Sequence, residues 1–271
     1  TEIYTLSLHD ALPILWGGGF YESDTFYDLA DQYGILIWQD FMCGGAALPE
    51  HDEMMKSFED EARYQITRLS PHPSLVLWCG GNESIIFHFE RWSGLEKKKY
   101  DEFFDGPEDV IKNNLYDKPW GNGYYNDLFP KLVKQLDPSR PYWPSSSYSG
   151  SMDINPLDEN HGDLHIWKVC KKINYPNYRK YHPRFVSEFG FQSPSTYTTL
   201  TECMPLEKVD FGTPGMNQRQ RYPRWFKNSC NYLLEHFNQP RNFDEWIYLM
   251  QIHQARAINC AVGWFRSQYP N

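Results

Sequence analysis

Positive charge and long apolar runs are both scarce in this 271-residue sequence. Lys and Arg total 26 against 35 Asp and Glu, so the formal net charge is -9, and no basic cluster stands out. Nucleic acid is therefore not an expected partner. No apolar run approaches the roughly 20 residues that cross a bilayer, so no membrane partner is expected. The length allows one large domain or two small ones, and no repeat, low-complexity tract or linker divides the chain.

The cysteine pattern excludes two further classes of site. None of the six cysteines forms a C-x-x-C pair, which argues against a zinc ribbon and a thioredoxin-like motif. They are spread through a large chain instead of being concentrated in a small one, so we expect free buried thiols. The residues are Cys43, Cys79, Cys170, Cys203, Cys230 and Cys260.

Aromatic residues, in contrast, are abundant. They make up 17% of the sequence, with 10 Trp and 19 Tyr, which is more than a core needs for packing. Aromatic rings stack on the flat apolar faces of sugars, so this composition favours a carbohydrate site. For any single Trp, a place in an aromatic core is the alternative.

Short apolar runs that end in polar residues recur along the chain. The clearest are "GILIWQDF" (34–41) and "SLVLWCGGNE" (74–83), and weaker ones cover 140–148, 163–167 and 184–190. Continuous apolar runs without alternation are typical of strands buried on both faces, as in parallel sheets. Helical spacing lies between them, with Gly34 as a C-cap and a longest helix from about Phe243 to Val262. This alternation predicts βα units and an α/β fold.

Two of the predicted strands end on a glutamate. Glu83 closes "LVLWCGGN" and Glu188 lies in "FVSEFG", 105 residues later (188 minus 83). A (β/α)₈ barrel spends about 31 residues on each unit, so the interval is about three units and both side chains reach one mouth of the barrel. Two carboxyls there can hydrolyse a glycoside. The alternative is a structural carboxylate that pairs with an arginine.

These residues carry a resemblance to a known family. From Trp16 to about Pro270 the chain resembles the catalytic barrel of a glycoside hydrolase family 2 β-mannosidase. The segments are "WGGGFYESDTFYDLADQYGILIWQDFM", "RLSPHPSLVLWCGGNE" and "RFVSEFGFQS", in the expected order and spacing. The resemblance implies a retaining exo-β-mannosidase with a (β/α)₈ barrel, a β-mannoside oligosaccharide or glycan as substrate, and no metal or cofactor.

The resemblance assigns the two glutamates different roles. Glu83 corresponds to the general acid/base, with Asn82 bonded to the sugar 2-hydroxyl, and Glu188 corresponds to the nucleophile. In such retaining enzymes the two carboxyls lie about 5–5.5 Å apart. The family's usual pattern has two asparagines before the acid/base, whereas here Gly81 replaces the first, and we expect little loss from it. The usual "FQSFPS" is one residue shorter here, which affects the loop after Gln192.

Several other residues resemble those that line the family's mannose pocket. Asp40 and Trp38 are assigned from "WQDF", near the end of the third strand, and a packing role is the alternative for Trp38. A core role is likewise the alternative for Trp167. The remaining pocket residues are Trp16, Trp92 and His165, together with Trp167.

The chain's ends and the exact substrate stay open at this level. The segment from Thr1 to Ile14 resembles translated adapter read-through, and we expect it to be foreign. Residues 15–271 would then form an incomplete barrel without its first and eighth strands and without the β-sandwich domains of the same chain. Such a barrel has two open edges. A family 2 glucuronidase, galactosidase or glucosaminidase is an alternative activity, and an inactive carbohydrate-binding barrel is another. The sequence does not fix the localisation.

Overall fold

The computed structural model describes residues 12–46, 48–86, 121–151, 154–205, 209–210, 213–219 and 223–268. The chain divides into two compact units, an N-terminal unit, Thr1–Asp163, and a C-terminal unit, Leu164–Asn271. Over the described residues, no helix is both long and apolar enough to cross a bilayer.

The N-terminal unit contains a four-stranded parallel sheet. Its strands are β1 (Ile14–Leu15), β2 (Ile37–Asp40), β3 (Leu75–Cys79) and β4 (Tyr142–Trp143), and they are neighbours in that order. All four residues of β2 are buried, as expected of a strand covered on both faces. The prediction of parallel βα units is therefore confirmed for this unit.

Strand β1 lies where the sequence predicts the foreign segment to end, at residue 14. Ile14 pairs with Trp38, and the Trp38 N–H donates to the carbonyl of Pro13 at 3.0 Å. The boundary thus falls inside a paired strand, and "WGGG" follows that strand directly.

Helices connect these strands. They are α1 (Asp24–Tyr33), α2 (Asp52–Leu69) and α3 (Phe129–Leu136), which a π-helical turn at Tyr124–Leu128 precedes. Gly34 ends α1 with φ +67°, and its N–H bonds to the carbonyls of Ala30 and Asp31, which confirms the predicted C-cap. Asp31 also ties α1 to the start of β3, since its carboxylate accepts from the Ser74 N–H at 2.8 Å and lies 2.7 Å from His72 Nδ1.

The core of the N-terminal unit is largely aromatic. Trp78 is fully buried and its ring stacks on that of Phe41, which in turn stacks on Phe129 at 4.3 Å between ring centres. The indole N–H of Trp78 donates to buried Asp137 at 2.9 Å, and Arg140 binds both oxygens of the same carboxylate. The many aromatics therefore do supply packing in this unit, and one of them needs a buried acid as its partner.

The C-terminal unit contains a parallel pair of strands, β5 (Leu164–Ile166) and β6 (Val186–Phe189). Its helices are α4 (Lys168–Lys171), a 3₁₀ helix at Tyr175–Lys180, α5 (Tyr197–Cys203), α6 (Pro214–Arg219), α7 (Pro223–Leu233) and α8 (Phe243–Ser267). Over the described residues the strands form these two sheets, one in each unit.

The longest helix, α8, begins at the predicted residue and runs five residues past the predicted end. Asn242 caps it, because its side-chain oxygen accepts from the Glu245 N–H at 2.9 Å. One stripe of α8 is buried at helical spacing, and it consists of Trp246, Ile247, Met250, His253, Ala257 and Ala261.

His253 is the one titratable residue in this stripe. Its ring is fully buried among the rings of Phe191 (4.8 Å), His236 (5.3 Å) and Tyr175 (5.4 Å), measured between centres. Neither ring nitrogen has a hydrogen-bond partner among the described residues. Burial first, then the nearby His236 and Arg256, lower the pKa of His253 to about 4. The folded protein thus keeps this imidazole neutral.

Replacing His253 with phenylalanine should flatten the dependence of stability on pH. Because folding lowers the pKa from 6.5 to about 4, the unfolded chain binds more protons between these values. Stability from this residue is therefore complete above about pH 6.5 and falls by about 3 kcal/mol as the pH approaches 4. Urea unfolding of both proteins at pH 7 and pH 4 measures the difference. An equal loss in wild type and His253→Phe would contradict the prediction.

All six cysteines are free thiols. Cys43, Cys79 and Cys170 are buried as expected and the other two are half-buried, but Cys203 is exposed, so the prediction is wrong for that residue. The reason is local, since α5 buries only Leu200 and Cys203 ends the helix on its solvent side. Its Sγ donates to the carbonyl of Thr199 at 3.1 Å.

Candidate active site

Asn82 extends the parallel sheet beyond the end of β3. It bridges Gly44 on one side and Ser146 on the other. The Asn82 N–H donates to the carbonyl of Cys43 at 2.7 Å, and its own carbonyl accepts from the Gly45 N–H at 2.9 Å. Main-chain bonds to the segment after β2 therefore fix Asn82, and its side chain is delivered at the carboxyl end of the sheet.

Glu83 follows with an unusual backbone. Its φ is +58°, in the left-handed region that residues other than glycine rarely adopt. Its N–H donates to the carbonyl of Ser146 at 2.5 Å, and its side chain is half-buried. Strain of this kind costs about 1–3 kcal/mol and concentrates at functional sites. At Glu83 the backbone therefore leaves the extended conformation of the strand.

The residue before this pair must be a glycine. Gly81 has φ +154°, and a Cβ there would lie 2.4 Å from the carbonyl oxygen of Cys43 and 2.7 Å from its Cβ. Both the backbone angle and the close approach exclude a side chain. The backbone path that leads to Glu83 thus requires glycine at the position where the family usually has asparagine.

A buried aspartate organises the segment that carries Trp16. Asp40 accepts from the Gly17 N–H and from the Trp38 indole N–H, both at 2.9 Å. Trp38 is itself buried, which agrees with the packing role considered for it. Trp16 is 52% exposed, and its ring covers Gly18, where a Cβ would lie 2.3 Å from the nearest ring carbon. An exposed aromatic face of this kind can stack on a sugar.

Glu188 lies in β6 opposite His165 of β5. Its Oε2 accepts from the indole N–H of Trp167 at 3.1 Å and lies 3.4 Å from Nδ1 of buried His165. Three residues that the sequence marks as site residues therefore meet at one carboxylate. A half-buried carboxylate that neighbouring donors hold in one orientation is suited to act as a nucleophile.

Asp163 supports the segment next to Glu83 and was not predicted from the sequence. Asp163 is buried and accepts from the Trp143 indole N–H and the Ser146 hydroxyl, both at 2.8 Å, and from the Tyr148 N–H at 3.0 Å. It thereby fixes the segment after β4, whose Ser146 carbonyl accepts from the Glu83 N–H. Its only signal in the sequence is its position at the head of "DLHIW", two residues before His165. Trp92 lies outside the described residues.

In sequence, this chain is similar to known β-mannosidases. No family model matches the chain. It is 30% identical over 270 residues to a β-mannosidase of Bos taurus, which covers 93% of this chain and 28% of that protein. It is 31% identical over 265 residues to β-mannosidase B of Aspergillus niger, covering 94% and 29%.

The chain is also similar to a solved β-mannosidase structure. The crystal structure of β-D-mannosidase from Dictyoglomus thermophilum matches with a TM-score of 0.81 and 32% identity, over 95% of this chain and 29% of that one. The chain therefore spans less than a third of the length of each of these proteins.

Proposed function

The chain is a homologue of the β-mannosidases over more than nine tenths of its length, and from this premise we propose that it carries the catalytic groups of a retaining exo-β-mannosidase. The substrate would be a glycan or oligosaccharide with a terminal, non-reducing β-D-mannose. The observation that carries the proposal is the Glu188 carboxylate at a strand end, with Trp167 and His165 on one of its oxygens.

The proposed reaction is a double displacement. Glu188 attacks the anomeric carbon while Glu83 donates a proton to the departing glycosidic oxygen, which leaves an α-linked mannosyl ester on Glu188. A water molecule then gives a proton to Glu83 and attacks the same carbon from the β face, which releases mannose and frees Glu188. Two inversions retain the β configuration. Both groups are carboxyls, so the reaction requires no metal or cofactor.

The other residues would bind the sugar. We assign the Asn82 amide to the 2-hydroxyl and the exposed ring of Trp16 to an apolar face of mannose. His165 and Trp167 would contact the sugar at the edge of the Glu188 carboxylate, and Trp92 would complete the pocket. Asp40 contributes indirectly, because its bond to the Gly17 N–H holds the segment next to Trp16.

We place these strands in a (β/α)₈ barrel, as in the family. The parallel order of β1 to β4, and the parallel pairing of β5 with β6, support it. Each assigned catalytic residue follows or ends a parallel strand at its carboxyl end, which is where barrel enzymes carry their active sites.

The purified full-length protein should prefer nitrophenyl β-mannoside over the matching glucoside, galactoside, glucuronide and glucosaminide. We expect kcat/KM for the mannoside to be higher by roughly a hundredfold. The buried polar groups of the site would pair with the axial 2-hydroxyl of mannose and would be left unpaired by an equatorial substituent. A preference for another glycoside would indicate a different family 2 activity. Binding of mannose without turnover of any glycoside would indicate a carbohydrate-binding barrel.

A further inference from the structure

The two carbonyls that follow β6 receive side-chain donors from other elements. The hydroxyl of Tyr178 donates to the carbonyl of Gly190 at 2.7 Å. The side-chain amide of Gln254, on α8, donates to the carbonyl of Phe191 at 2.5 Å. Polar groups of the main chain rarely go without a partner when buried, so these donors determine where the segment runs. Tyr178 and Gln254 thus fix the chain at two and three residues beyond Glu188.

The side chain of Phe191 adds an apolar contact to the same tie. It is buried, and its ring meets the edge of His253 at 4.8 Å between centres, one residue before Gln254 on α8. It also approaches Tyr175 at 6.2 Å. One helix therefore holds Phe191 through both its backbone and its ring.

This tie continues to the Glu188 carboxylate through one further contact. A Cβ on Gly190 would lie 3.2 Å from the ring of Trp167, so the backbone of Gly190 packs directly on that indole. The same indole N–H donates to Glu188 Oε2 at 3.1 Å. A displacement of Gly190 would move Trp167, and with it the donor that orients the carboxylate.

We propose that Gln254 is a positioning residue for Glu188, acting through the Phe191 carbonyl and the contact of Gly190 with Trp167. The inference rests on the proposed function, in which Glu188 is the nucleophile. Gln254 does not contact the substrate in this scheme. Its contribution is to hold the carboxylate in the orientation that attack on the anomeric carbon requires.

The test compares Gln254→Met with Gln251→Met in the purified full-length protein. Gln251 is a matched control, because it is half-buried on the same helix and its amide donates to the carbonyl of Pro194, at 3.4 Å. We expect Gln254→Met to lower kcat on nitrophenyl β-mannoside by roughly tenfold with KM within about twofold of wild type. Gln251→Met should keep both constants within about twofold. A purely structural role would not produce this separation of kcat from KM.

Tyr178→Phe provides a second variant if Gln254→Met folds poorly. It removes only the hydroxyl donor at Gly190, and kcat should fall in the same direction with KM retained. If Glu188→Ala is inactive while Gln254→Met and Tyr178→Phe keep the wild-type kcat, this inference is overturned and the proposed function stands. If the wild type lacks β-mannosidase activity, or Glu188→Ala keeps it, both are overturned.

Discussion

In the full-length protein, Glu188→Ala is expected to abolish hydrolysis of a β-mannoside, and added azide is expected to restore turnover with α-mannosyl azide as the product. Removal of a nucleophile costs at least about a thousandfold in kcat. The alanine leaves room for a small anion on the α face, where the carboxylate had stood. Only one displacement then occurs, so the configuration at the anomeric carbon inverts.

Glu83→Ala serves as the complementary variant. With an activated substrate such as a dinitrophenyl β-mannoside, the leaving group needs no proton, so the mannosyl ester on Glu188 still forms. Azide then attacks this ester from the β face and gives β-mannosyl azide after two inversions. NMR of the isolated azides distinguishes the two products. The same anomer from both variants would show that the roles of Glu83 and Glu188 are wrongly assigned.

The sequence predicted the strands because each lies in a short apolar run, which is clear for β2 and β3 and weaker for β4 to β6. The runs at 34–41, 74–83, 140–148, 163–167 and 184–190 each contain one strand of the structure, from β2 to β6. A strand that is buried on both faces leaves little choice of residue, so its signal survives without tertiary information. The C-cap at Gly34 was readable for a similar reason, since its left-handed φ suits glycine.

The contacts that organise the candidate site were not predictable in the same way. His165 and Trp167 were assigned to the sugar pocket, and the structure additionally places both on the Glu188 carboxylate. The bond from Gln254 to the Phe191 carbonyl joins residues 63 positions apart, and no local pattern marks either partner. Such ties depend on which elements meet in the fold, whereas composition and periodicity report only on one element at a time.

The backbone at Gly81 is the clearest case of a local residue choice that only the structure explains. The resemblance gave no reason for the loss of the family's asparagine there. The structure supplies one, because the segment passes so close to the carbonyl of Cys43 that a Cβ would lie 2.4 Å from its oxygen. The same approach allows the bond from the Asn82 N–H to that carbonyl at 2.7 Å. In this protein the same close approach to Cys43 therefore requires the glycine and fixes the position of Asn82.

Gly81→Asn, which restores the family's usual residue, should accordingly destabilise the protein. Strain at φ +154° and displacement of Cys43 together should cost about 3 kcal/mol or more, which lowers the melting temperature by roughly 6–12 °C. Activity should fall as well, because relief of the clash moves Asn82 and Glu83. Gly34→Asn is the control, since Gly34 has φ +67°, nothing lies within 4 Å of its Cβ position, and asparagine tolerates this left-handed conformation. Equal melting temperatures for the two variants, measured by calorimetry, would mean that the chain at Gly81 has room for a side chain.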